Sequence, residues 1–221
     1  MSSPASRHVN RTVRLAVTVC CAAFTVSACW NFNAQVKSGP APAAGVDAEA
    51  LILSVEDVRR IANSEELATH EHSDLHHPSP GNVNAPGTCR AVGNSEASYA
   101  GGWTQYREVG YSGVTDDIEP GGRPMIDEVS QAVVVYPDAG AASGALHALD
   151  AQLTACADLH DSAFIFTLDR PDSSTVRLSS QGWSHQYRVK SSTLVSVGVL
   201  GIEPAEQIAT TILTTMTDRI R

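Results

Sequence analysis

No apolar run in this 221-residue chain reaches the roughly 20 residues needed to cross a bilayer; the longest, Leu15 to Val26, has twelve. A spanning helix is therefore excluded. Positive charge is scarce, with 15 Lys and Arg against 24 Asp and Glu and a net charge of −9. Proteins that bind phosphate backbones neutralise them with clustered Lys and Arg, so nucleic acid is excluded as a partner. The catalytic signatures are missing as well: there is no G-x-S-x-G elbow, P-loop, dinucleotide fingerprint, H-E-x-x-H or C-x-x-C. Scattered Ser, His and Asp fix no mutual geometry by themselves, so the sequence calls for no enzyme and no cofactor. No internal repeat is present.

The amino terminus is patterned. Arg7, Arg11 and Arg14 precede the short apolar run, no acidic residue interrupts it, and it ends in "VSAC" with Ser27 and Ala28 before Cys29. This is the layout of a cleaved signal peptide, residues 1–28. The segment before Cys29 resembles a bacterial lipobox, which implies a lipid on that cysteine and a partner in the cell membrane. The plainer alternative is an ordinary secretory cut nearby. Without residues 1–28 the chain carries 12 basic and 24 acidic residues, a net charge near −12. So acidic a surface gains nothing from anionic lipid, and the attachment falls to the anchor.

On the lipobox reading, of the five cysteines Cys20 and Cys21 would leave with the signal and Cys29 would take the lipid. An isolated pair, Cys89 and Cys156, stays in an oxidising compartment and reads as a disulfide. Residues 29–49, rich in Ala, Pro and Gly, read as a flexible linker. Residues 50–221 then have the length of one domain with a sizeable core.

Within that domain, "LILSVEDVRRIA" predicts a helix near 55–63 capped by Ser54. The period then disappears from Leu67 to about Ser98, which reads as a long loop. "GGWTQYREVGY" predicts a first strand, "VTDDIEPGGRP" a turn, and "DEVSQAVVVYP" a β-branched strand ended by Pro137. From Asp138, Ala142, Leu146, Leu149, Leu153 and Cys156 recur at helical spacing. Four short runs, "AFIFTLD", "STVRLSS", "WSHQYRV" and "TLVSVGVL", are separated by turn-length breaks, and such connections make antiparallel neighbours. A closing helix starts near Pro204, with Ala205, Ile208, Ile212, Met216 and Ile220 on one side. Together these elements predict an α+β fold: a single domain with an antiparallel sheet of five to seven strands and helices packed mainly on one face.

Two groups of residues invite a functional reading. His70, His72, His76 and His77 crowd a stretch with Glu71 and Asp74, and imidazole suits Zn or Cu. Yet adjacent His76 and His77 point apart on a Pro-rich segment, and nothing there orients ligands, so a polar loop that gains charge as pH falls is the simpler reading. A metal-binding envelope protein is the alternative. His185 shares a strand face with Trp183, Tyr187 and Val189, so these side chains face the core or line a cleft. A hydrolase built on Ser or Asp with His185 in one pocket is the remaining reading.

The order and spacing of "LILSVEDV", Cys89, "GGWTQYRE", "VSQAVVVYPDAGAASGAL", "LTACA", "GWSHQYRV", "TLVSVGVLG" and the closing amphipathic helix resemble the PknH-like extracellular sensor domain family. The resemblance implies an antiparallel sheet with packed helices and an open cleft for an unidentified ligand. It matches Cys89 and Cys156 to one family disulfide. A second family bridge falls here on His185 and Leu200, so the ligand does not transfer from it. The expectation is a lipid-anchored extracytoplasmic module with a cleft for a small molecule, an envelope component or a partner protein.

Overall fold

The computed structural model describes residues 45–118 and 124–221. The signal segment, Cys29 and most of the linker lie outside the described residues, as do the side chains of His70 and Glu71. In chain order the elements are α1 (Ala48–Leu51), α2 (Val55–Ala62), β1 (Ala68–Leu75), a 3-10 turn (Gly87–Ala91), β2 (Gln105–Ile118), β3 (Pro124–Val135), α3 (Ala139–Asp158), β4 (Thr167–Asp172), β5 (Thr175–Ser180), β6 (Trp183–Lys190), β7 (Thr193–Leu200) and α4 (Ala205–Asp218).

The strands form one seven-stranded sheet ordered β1-β2-β3-β7-β6-β5-β4, antiparallel throughout. Helix α3 carries the chain from the centre of the sheet to its far edge. Hairpins between successive strands then bring it back until β7 pairs with β3. All three of these hairpins turn in two residues, pairing Asp172 with Thr175, Ser180 with Trp183 and Lys190 with Thr193. The α+β class and the antiparallel sheet are as the sequence predicts.

Side-chain alternation on β3 and β7 builds two cores. Val129, Val133 and Val135 with Val195, Val197 and Val199 pack against α1, α2 and α4, meeting Leu51, Val58, Ile208, Ile212, Leu213 and Met216. Ala132, Val134 and Leu194 point the other way, toward Ala142, Leu146, Leu149 and Leu153 of α3. Three of the four α-helices therefore share one face, and the longest covers the other. Burial on both faces explains why β3 and β7 read as nearly continuous apolar runs.

Local chemistry sets the helix ends. The Ser54 side chain accepts the Asp57 N–H at 3.2 Å, and Asp138 accepts that of Ala141 at 2.8 Å. Each satisfies an N–H that has no partner within the helix. Leu53, just before α2, is fixed to the sheet: fully buried Gln131 accepts its N–H at 3.0 Å and donates to its carbonyl at 3.3 Å, while Tyr111 donates to the same carbonyl at 2.8 Å.

Four expectations change, the first being β4, which starts only at Thr167 within "AFIFTLD" and runs on to Asp172, where the sequence predicts a break. The stretch assigned to a loop contains β1, an edge strand whose pairing with β2 is interrupted between Thr69 and Asp74. Its sequence, "ATHEHSDL", is polar on both sides because its neighbours bury little of it, so the alternation that betrays a strand is absent. β2 runs on through "VTDDI", read as turn because acidic residues are poor strand formers. Finally, residues 46–49, assigned to the linker, already belong to the fold. Val46 packs on the core, Ala48 is buried, and Gln105 bonds both their backbones.

Cys89 and Cys156 form the disulfide, with Cα atoms 4.9 Å apart. It joins the 3-10 turn to the buried side of α3, in a cluster completed by Ala85, Phe164 and Phe166. Closing 67 residues restricts the unfolded chain, so replacing both cysteines by alanine should cost roughly 4 kcal/mol. Urea unfolding of the double variant beside the parent protein checks this.

Candidate functional site

Helix α3 does not cover the whole of its sheet face. The register lays side chains there in rows across the strands. One row runs Glu108, Ala132, Ser196, Tyr187; the next Gly110, Ser130, Gly198, His185; the third Ser112, Glu128, Leu200, Trp183. The polar and glycine positions of these rows leave a cleft of about 260 Å³ lined by Asn94, Glu108, Glu128, Ser130, Trp183, His185 and Leu200, among others.

Its floor depends on Gly198. A Cβ there would lie 2.6 Å from Ser130 Oγ and 3.0 Å from His185 Nδ1, so these two side chains flank the glycine from either side. Such a gap in a central strand marks a close approach to the backbone. One wall is the segment after the 3-10 turn. Gly93 has φ of 89°, a conformation natural to glycine, and its carbonyl accepts hydrogen bonds from Ser98 and, at 3.1 Å, from Tyr187. Asn94 is fixed in turn: its Oδ1 accepts from Tyr99 at 2.7 Å and from Ser196 at 2.6 Å.

His185 is 3% exposed, and its ring stacks on Tyr187 at 4.6 Å. Burial pushes its pKa down to about 3, so it is a neutral imidazole at ordinary pH. Among the described residues its Nε2 finds no hydrogen-bond partner, and neither does the buried Nδ2 of Asn94. Glu108 accepts from Tyr106 at 2.5 Å, and burial raises its pKa, with the Glu128 charge adding to the rise. The Asn94 amide faces the Glu108 carboxylate and pulls that pKa back, without the geometry of a formed hydrogen bond.

A larger groove, about 680 Å³, lies beside the end of α2 and the start of α4, lined by Ser64, Glu66, Asp127, Glu203 and Gln207 among others. There Ser64 bonds Glu66, and Glu203 accepts the Ala205 N–H. Of the buried side-chain atoms without a partner among the described residues, two belong to residues lining the smaller cleft and none to residues lining this groove. Unmet hydrogen-bonding capacity therefore marks the smaller cleft as the candidate site.

Of the residues expected there, Trp183 and His185 line the cleft. Tyr187 is fully buried behind His185, where it supports the ring. His185 and Leu200, where the family resemblance put a second bridge, both face this space. The histidine stretch is elsewhere. His72 is exposed with φ of 72° at the irregularity of β1, the His76 ring lies 3.9 Å from Asp74, and the His77 ring packs on Trp103 at 5.8 Å. Among the described residues, no three His, Cys, Asp or Glu side chains converge as metal ligands.

The PknH-like extracellular domain family matches residues 43–219. The chain belongs to this family. The extracellular domain of PknH from Mycobacterium tuberculosis, known from a crystal structure, is similar in fold: TM-score 0.53 and 22% identity over 82% of this chain and 98% of that one. No curated protein matches the chain. As a PknH-like extracellular domain it is an extracytoplasmic module of the sensor type. No helix among its described residues is long and apolar enough to cross a membrane.

Two consequences can be measured. Gly198→Ala should destabilise the protein by about 1–2 kcal/mol through overpacking, and a Ser130→Ala background should recover part of that loss; thermal unfolding of the single and double variants decides. The second concerns acid. The unfolded chain takes up the His185 proton near pH 6.5, whereas the folded protein resists it down to about 3. The contribution of a neutral His185 is thus full above that window and lost as pH falls through it. Stability measured from about pH 7 to about pH 4 should decline less steeply in His185→Gln than in the parent protein.

Proposed function

We propose that this chain is a lipid-anchored binding module, held at the membrane through Cys29, that receives a ligand in the cleft beside His185 and catalyses nothing itself. The observation that carries the reading is the pair of buried atoms without hydrogen-bond partners among the described residues, His185 Nε2 and Asn94 Nδ2, at residues of one concave site. A buried polar atom without a partner costs on the order of 1–3 kcal/mol, and a ligand that supplies the partner removes that cost. At about 260 Å³ the cleft suits a small molecule, or one group of an envelope component or partner protein, better than an extended surface.

Ser130 and His185 in one cleft favour a second reading, an envelope hydrolase. Against it, an imidazole with a pKa of about 3 is a poor general base near neutrality. No hydrogen bond joins Ser130 to His185 among those of the described residues.

The binding reading is tested on protein purified from its native envelope. Mass spectrometry should find a co-purifying molecule with the parent protein and lose it with Gly198→Val, which fills the cleft; the same molecules in both would refute it. In the same cells, Cys29→Ser should release the protein into the medium. Covalent capture of Ser130 by a fluorophosphonate probe, abolished by His185→Ala, would replace the binding reading with the hydrolase.

A further inference from the structure

The character of the cleft narrows what it accepts. Two carboxylates, Glu108 and Glu128, line it, and among the described residues none of its lining is Lys or Arg. Neither carboxylate belongs to an ion pair among the described residues, whereas Glu49, Asp74, Asp150 and Glu206 each meet an arginine. Burial penalises the charge on Glu108, and a cation held beside the two carboxylates relieves that penalty, so the recess favours cations. The neutral His185 ring, 3% exposed, adds a polar atom without a partner among the described residues, and the Asn94 amide faces Glu108 without a formed hydrogen bond.

The same sheet face continues past the polar floor into an apolar apron. Leu200 sits in the row of Glu128 and Trp183 and is 44% exposed. One row further, Ile126 pairs with Val114, and these are 53% and 61% exposed. The strand alternation places all three on the side occupied by Glu108, Ser130 and His185. They account for half of the large exposed hydrophobic side chains of the described residues. A polar, acidic pit thus opens directly onto a small greasy ledge.

We infer that the cleft binds an amphipathic organic cation of the alkylammonium type, its charged head at Glu108 and Glu128 and its apolar body along Trp183, Leu200, Ile126 and Val114. The inference rests on the binding reading above and adds the chemistry of the ligand. The head exchanges water for carboxylate oxygens and for the polar atoms of Asn94 and His185. The body covers apolar side chains that water otherwise surrounds.

Calorimetric titration of the purified full-length protein tests this with n-hexylammonium, n-hexanol, n-hexanoate and methylammonium as probes. Hexylammonium should bind at least about tenfold more tightly than each of the other three. Glu108→Gln should weaken hexylammonium about tenfold with the fold intact by circular dichroism, and Leu200→Ser should weaken it while leaving methylammonium unchanged. Equal or tighter binding of hexanol or hexanoate, or a Glu108→Gln variant that binds like the parent, overturns the cation. If that binding is lost in Gly198→Val, the cleft still stands as a binding site and only its charge preference falls. No detectable binding of hexylammonium also overturns the cation, whatever the envelope-purified protein carries.

Discussion

Everything in this fold hangs on two strands, β3 and β7, whose side chains must be buried on both faces at once. One parity is valine-rich and supports α1, α2 and α4; the other, beginning with Ala132, Val134 and Leu194, supports α3. The two parities are not covered to the same extent. Toward Val134 and Leu194 the α3 side is apolar and packed. Toward Ser130, Gly198 and Glu128 the side chains become small or polar, and the sheet surface is left open. The change occurs within the strands, so the cleft is part of the same residue pattern that builds the core and does not depend on a detachable loop.

That origin explains the rigidity of the site. Asn94 is held by two hydroxyls, Gly93 by two more, and His185 by the face of Tyr187. The disulfide ties the turn that precedes Asn94 to α3, so the wall of the cleft and the helix beside it are joined covalently. Groups fixed in this way pay little conformational entropy when a ligand arrives. The rise in the Glu108 pKa and the fall in that of His185 have a common cause, removal from water, and both favour the neutral forms.

Much of this architecture was legible in the sequence. The 3.6-residue stripe of α3 ends at Cys156 as read, Ser54 caps α2, and the four C-terminal strands follow in order, the first of them shifted to begin at Thr167. β1 escaped because a polar edge strand has no alternation to show, and the start of the fold because Val46 and Ala48 are too few to make a period. The site was harder to find. Trp183 and His185 were visible as large residues on one face of a strand, but Glu108 and Glu128 look like ordinary solvated charges until the register brings them to the same surface. Gly198, alone inside "VSVGVL", was the available signal: a residue without a side chain in a central strand leaves room for something. Asn94 lies in aperiodic sequence and reaches the cleft through tertiary hydrogen bonds, which no local pattern encodes.

The fastening of the N-terminal segment has a mechanical side. Gln105 clasps the backbone at Val46 and Ala48, Arg107 grips Glu49, and Gln131 with Tyr111 holds Leu53 against the central strand. A force applied at Val46 would therefore meet three attachments to β2 and β3, the strands that also carry Glu108 and Ser130. The start of the fold and the recess thus share the same two strands.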